Sequence, residues 1–89
     1  MKQIDVTLTG PIFVEPTSGW TAVEWPGSNE ILGTGKTVKV SASADGIPFD
    51  VTLMPTGKGH HMVPLRKDLR RKLGKDTGDV VTITIVATR

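Results

Sequence analysis

The stretch His60 to Ile85, HHMVPLRKDLRRKLGKDTGDVVTITI, constrains the fold more than any other part of the chain. It reads without a gap as strand, proline-started helix, glycine-aspartate turn and strand. Leu65, Leu69 and Leu73 recur at every fourth residue and fall on one helical face. Arg66, Lys67, Arg70, Arg71 and Lys72 cover the remainder, so a short, basic, amphipathic helix is predicted near residues 65–73. Gly74 stands where a left-handed helix cap is wanted. After Gly78-Asp79 the apolar period changes from four to two, with Val81, Ile83 and Ile85 alternating against Thr82 and Thr84. That change of period marks the final strand.

Upstream, the same alternation predicts a strand over Lys2–Thr9, interrupted at Gly10-Pro11 and continued through Ile12–Val14. Glu15 to Gly19 is a turn cluster, and Trp20–Trp25 is the next strand, stopped by Pro26. Gly27-Ser28-Asn29 follows as a loop suited to capping a single helical turn through Leu32. Lys36–Ala44 and Ile47–Leu53 form a hairpin through Asp45-Gly46, because this dipeptide tolerates positive φ at little steric cost.

With 89 residues the chain has room for one core, and residues 1–89 are read as a single domain. Six or seven strands in so short a chain are best accommodated by a small β-barrel, which removes exposed edges. A faint internal echo accompanies them. Trp20–Pro26, a connector and Gly35–Val40 parallel His60–Pro64, the helix and Gly78–Ile83, suggesting two related half-barrels.

No cysteine is present, so disulfides and thiolate chemistry are excluded. The N-terminal residues lack the apolar run of a secretion signal, and no stretch reaches the roughly 20 apolar residues of a membrane-spanning helix, so a cytoplasmic location without a membrane partner is expected. The net charge of +2 conceals an uneven distribution. Residues 1–57 carry three lysines against six carboxylates, whereas residues 58–76 carry seven cations against two. A local basic patch of this kind attracts polyanions, and it also keeps a small protein soluble.

Gly33-Thr34-Gly35-Lys36-Thr37 resembles the end of a phosphate-binding loop, but it enters a strand rather than a helix and lacks the leading glycine. His60-His61 cannot chelate one ion from adjacent positions of a regular strand, which point to opposite faces. One of the two is expected inward and the other toward solvent. Trp20 and Trp25, five residues apart, are likewise split between faces, and at least one belongs to the core. No nucleophile turn, metal cluster or cofactor fingerprint is recognised, so the chain is read as a non-catalytic binding or interaction module. Two alternatives have named residues. Arg66, Lys67, Arg70, Arg71 and Lys72 would meet nucleic acid or another polyanion, and a barrel mouth near Trp25, Lys58, His60 and His61 would take a small ligand.

The combination of Trp20–Pro26, the Val38/Val40 strand, the Asp45-Gly46 hairpin with Phe49, Leu53–Gly59 and the His60–Ile85 phrase resembles the mostly bacterial domain-of-unknown-function family 1905. That resemblance implies an all-β, double-split β-barrel in one chain, the architecture that AbrB and MazE regulators assemble from two. It implies no established activity. The first half has Gly27–Thr34, with Glu30 and no Lys or Arg, where the second has its basic helix. Half of a regulator-like DNA footprint is therefore absent, and a monomer is expected rather than a dimer.

Overall fold

The computed structural model describes residues 3–88. It is an all-β fold of seven antiparallel strands with two short helices, curled into a half-barrel in the order β1-β7-β4-β5-β6-β3-β2. In chain order these are β1 (Gln3–Pro11), β2 (Phe13–Val14), β3 (Thr21–Trp25), α1 (Ser28–Leu32), β4 (Val38–Ala44), β5 (Ile47–Pro55), β6 (His61–Pro64), α2 (Lys67–Leu73) and β7 (Val80–Thr88). The predicted strand start at Lys2 lies outside the described residues.

Alternation decides which faces are buried. Val38, Val40, Ala42 and Ala44 of β4 and Val81, Ile83 and Ile85 of β7 point into the core, joined by Ile12, Val23, Trp25, Leu53, Val63, Leu65 and Leu69. Thr7 and Thr9 instead meet Thr84 and Thr82 across the β1–β7 ladder on its outer side.

The hairpin between β4 and β5 forms as predicted, with Ala44 opposite Ile47 and Val38 opposite Leu53. Asp45 (φ 48°) and Gly46 (φ 88°) both adopt positive φ, the combination a two-residue turn of mirror-image type requires. The Asp45 side chain does more than tolerate that conformation. One oxygen accepts from the Thr82 N–H (3.0 Å) and the other from Lys75 Nζ (2.5 Å), tying the turn to β7 and to the segment after α2. The Lys75 ammonium first, and the Thr82 amide second, hold this carboxyl below the usual carboxylate range.

A depressed carboxylate stabilises the fold at pH values above its unfolded pKa, and that contribution is lost as pH falls through the folded value. Melting temperature is therefore expected to drop on acidification below about pH 4. An Asp45→Asn variant, which keeps the left-handed tolerance, is expected to be less stable at neutral pH and to show a shallower acid slope. Parallel thermal melts from pH 7 to pH 3 check this, and superimposable slopes would refute it.

Two boundaries depart from expectation. The first strand runs through Gly10-Pro11 and breaks at Ile12, because Pro11 sits where its missing N–H would face away from β7. The Ile12 N–H and carbonyl then bond to Asp79 O (2.9 Å) and Gly78 N (2.8 Å). The basic helix begins at Lys67 rather than Leu65, since the Leu65 N–H is drawn to Thr21 O (2.9 Å) as an extension of β6. The single helical turn expected through Leu32 is present as α1, flanked by left-handed Gly27 and Gly33.

With β1 and β2 taken as one strand broken at Ile12, the strands group into two β-β-α-β units, residues 3–44 and 47–88, joined through the Asp45-Gly46 turn. Each strand of the internal echo pairs with its own counterpart, β3 with β6 and β4 with β7. The remaining strands bridge between units in the same manner. β1 and β2 lead from β7 to β3, and β5 leads from β4 to β6.

Candidate functional site

A groove of about 1430 Å³ lies between β5, α2 and the entry to β3. Phe49, Val51 and Leu69 supply apolar floor, Trp20 stands on one side, and Lys39, Arg66 and Lys72 bring positive charge to the walls. Asp50 and Asp68 also line it, but Asp50 accepts a hydrogen bond from the Ser41 hydroxyl (3.2 Å).

The five basic residues singled out in the sequence do not form one patch. Arg66 and Lys72 border the groove, whereas Lys67 and Arg71 border a shallower hollow of about 380 Å³ beside Lys75, Asp76 and Asp79. Arg70 is turned inward as a helix-end fastener. Its guanidinium donates to Leu65 O (2.5 Å), and its Nε lies 3.2 Å from an Asp76 carboxylate oxygen without the alignment of a hydrogen bond. The Gly74 cap completes this end, with the Gly74 and Lys75 amides bonding back to Arg71 and Arg70 carbonyls.

The ligand mouth expected near Trp25, Lys58, His60 and His61 is not where the opening lies. Trp25 is 2% exposed and belongs to the core, because β3 carries Val23, Trp25 and the paired His61 on its inward side. The accessible tryptophan is Trp20, at 44%, which precedes β3 and is free of its pleat. Lys58 is exposed in the β5–β6 turn, and His60 is half-buried with Nε2 3.7 Å from Glu24 Oε1.

His61 and Ser28 are both fully buried and form a closed network. The Ser28 hydroxyl is 2.7 Å from His61 Nδ1 and also accepts from the His61 backbone N–H (2.6 Å), while Nε2 is 2.6 Å from the Lys36 carbonyl. A carbonyl can only accept, so Nε2 carries the proton and the Ser28 hydroxyl donates to Nδ1. Every polar atom of the imidazole is thereby satisfied within the fold. A serine beside a histidine resembles a nucleophile and its base, but neither is open to a substrate. The sequence had no signal for this pair beyond the positions of Ser28 in a loop and His61 on an inward strand face. Likewise, Gly33–Thr37 is a helix cap and link into β4, with the Lys36 amide bonding to the Thr34 hydroxyl.

A family model described as "Domain of unknown function (DUF1905)" matches residues 9–85, nearly the whole architecture from the end of β1 into β7. The chain belongs to the DUF1905 family. No match was found among curated proteins. In this DUF1905 domain the matched span contains the groove, the buried Ser28–His61 pair and both halves of the internal echo. No helix among the described residues is long and apolar enough to cross a membrane.

Proposed function

We propose that this DUF1905 domain is a non-catalytic binding module of the double-split β-barrel type, with an anionic ligand seated in the groove between Trp20, β5 and α2. The observation that carries the reading is the convergence of Lys39, Arg66 and Lys72 with the exposed Trp20 over an apolar floor. Charged groups on the walls of a partly apolar concavity can orient a ligand without reacting with it. The sealed Ser28–His61 pair supports absence of catalysis, because the one serine-histidine hydrogen bond among the described residues is used for packing. The double-split assignment draws support from the two β-β-α-β units, which exchange strand partners as two chains would in the AbrB and MazE architecture.

A second reading, duplex DNA on α2, is favoured by the exposure of Lys67 and Arg71 on the flank away from the groove. The two are separated by charge reversal. Poly-L-glutamate and single-stranded oligothymidylate serve as groove probes, followed by Trp20 emission, with buried Trp25 as a steady background. Arg66→Glu/Lys72→Glu is expected to abolish the response and Lys67→Glu/Arg71→Glu to retain it. The reverse pattern, with duplex binding that falls steeply with salt, would replace the groove by the DNA reading, since each neutralised phosphate contributes about −0.9 to the log-log salt slope. Silence of Trp20 with every probe would end the groove reading.

A further inference from the structure

The groove coincides with a place where the sheet comes apart, and the hydrogen-bond parity of β5 shows what is left open. Asp45 N–H donates to Thr82 O (2.8 Å), so the odd residues of β4 direct their backbone groups to β7 and the even ones to β5. Ala44 faces Ile47 across the turn, so Ile47, Phe49, Val51 and Leu53 bond to β4. The even residues of β5 turn their amides and carbonyls the other way. At the far end of β5 the opposite side answers: Met54 pairs with Met62, and just beyond the strand the Thr56 N–H donates to His60 O (3.0 Å).

Continued by two residues, that register would set Pro64 opposite Thr52. Proline has no N–H to give, and the ladder ends there. β6 instead follows β3, with the Leu65 N–H taken by Thr21 O, and the chain departs into α2. The backbone N–H and C=O of Asp50, and the C=O of Pro48 and Thr52, therefore face the groove with no hydrogen-bond donor or acceptor supplied by β6. Pro48 falls at a position where no donor to β4 is needed.

We propose that this edge takes up an extended acidic peptide from another protein, which adds as a strand alongside β5. This rests on the groove reading above and names its partner class. An added strand would satisfy the orphaned backbone groups and present alternate side chains to the floor of Phe49, Val51 and Leu69. Its other side chains would meet Arg66, Lys72 and Lys39, so acidic residues complement the walls. A second copy of this chain is disfavoured as occupant, because edge-to-edge pairing would bring two identically basic walls and two Asp50 carboxylates together in a chain already carrying +2.

The test uses the whole chain and a synthetic peptide alternating valine with glutamate. Amide hydrogen exchange is expected to slow at Asp50 on binding and to stay unchanged at Phe49 and Val51, whose amides already bond to β4. Two further peptides carry N-methyl groups on alternate residues, one set in each register. The register that removes the donors facing β5 is expected to bind roughly tenfold more weakly or worse, and the other to bind normally. Equal binding by both would show that charge alone is read, which overturns strand addition and leaves the groove reading standing. Loss of Trp20 response to every anionic probe would overturn both. Protection of Asp50 that grows with protein concentration without peptide, together with a dimer in sedimentation, would assign the edge to a second copy instead.

Discussion

A His61→Ala substitution is expected to cost about 3–5 kcal/mol, the range for truncating a large fully buried ring. The cavity is only part of that cost. The imidazole links β6 to Ser28 at the start of α1 and to the Lys36 carbonyl before β4. Without it, a buried hydroxyl and a carbonyl lose their partner, and each unsatisfied group costs about 1–3 kcal/mol when water cannot enter. Ser28→Ala removes the other side of the same network. It is expected to cost about 1–3 kcal/mol, because the His61 amide and Nδ1 are orphaned but little volume is lost. Since the two residues act together, the double variant should lose less than the sum of the singles. Urea unfolding of the four proteins measures this. A loss below about 1 kcal/mol for His61→Ala, or strict additivity, would mean that the network is not what secures α1.

Ile83→Ala is expected to be comparably damaging, at about 2–5 kcal/mol. Ile83 is fully buried on the interior strand β7, opposite Leu8 on one side and Ala44 on the other, where the β1 and β4 ladders meet. Ala44 is already small, so no neighbour on that side can expand into the void. At roughly 4–8 °C per kcal/mol for a domain of this size, the melting temperature should fall by about 10 °C or more. The contrast is Val80→Ala on the same strand, where Val80 is 54% exposed and the expected change is within about 0.5 kcal/mol. Calorimetric melts of the two variants would show the difference, and similar shifts would mean that β7 is not packed as described.

Local pattern made part of this architecture readable beforehand. The leucine spacing of α2, the alternation of β4, β5 and β7, and the Asp45-Gly46 turn each depend on residues close in sequence, and each appears in the structure. What could not be read depends on register between distant strands. Parity alone separated Trp20 from Trp25 but could not choose which was buried. That choice follows from Trp25 pairing with His61 on the inward face, a contact spanning two elements. Ser28 looked like a helix cap, and its hydroxyl is instead claimed by a histidine 33 positions away. The groove escaped notice for the same reason. Pro64 marked the end of a strand in the sequence, whereas its consequence, an open edge on β5, exists only once β6 is laid beside β5 in its actual register.

The Asp45-Gly46 turn has a further consequence for stoichiometry. An assembly of two identical β-β-α-β chains would be obliged to repeat every change on both faces, and would present its contact surface twice. Here the two units are covalently one, and they differ. α1 has five residues with Glu30 in its first turn, and α2 has seven with a basic last turn and the groove beside it. The molecule is thus one-sided by construction, and a partner held at the β5 edge would be held once per chain, without a symmetry mate to bridge.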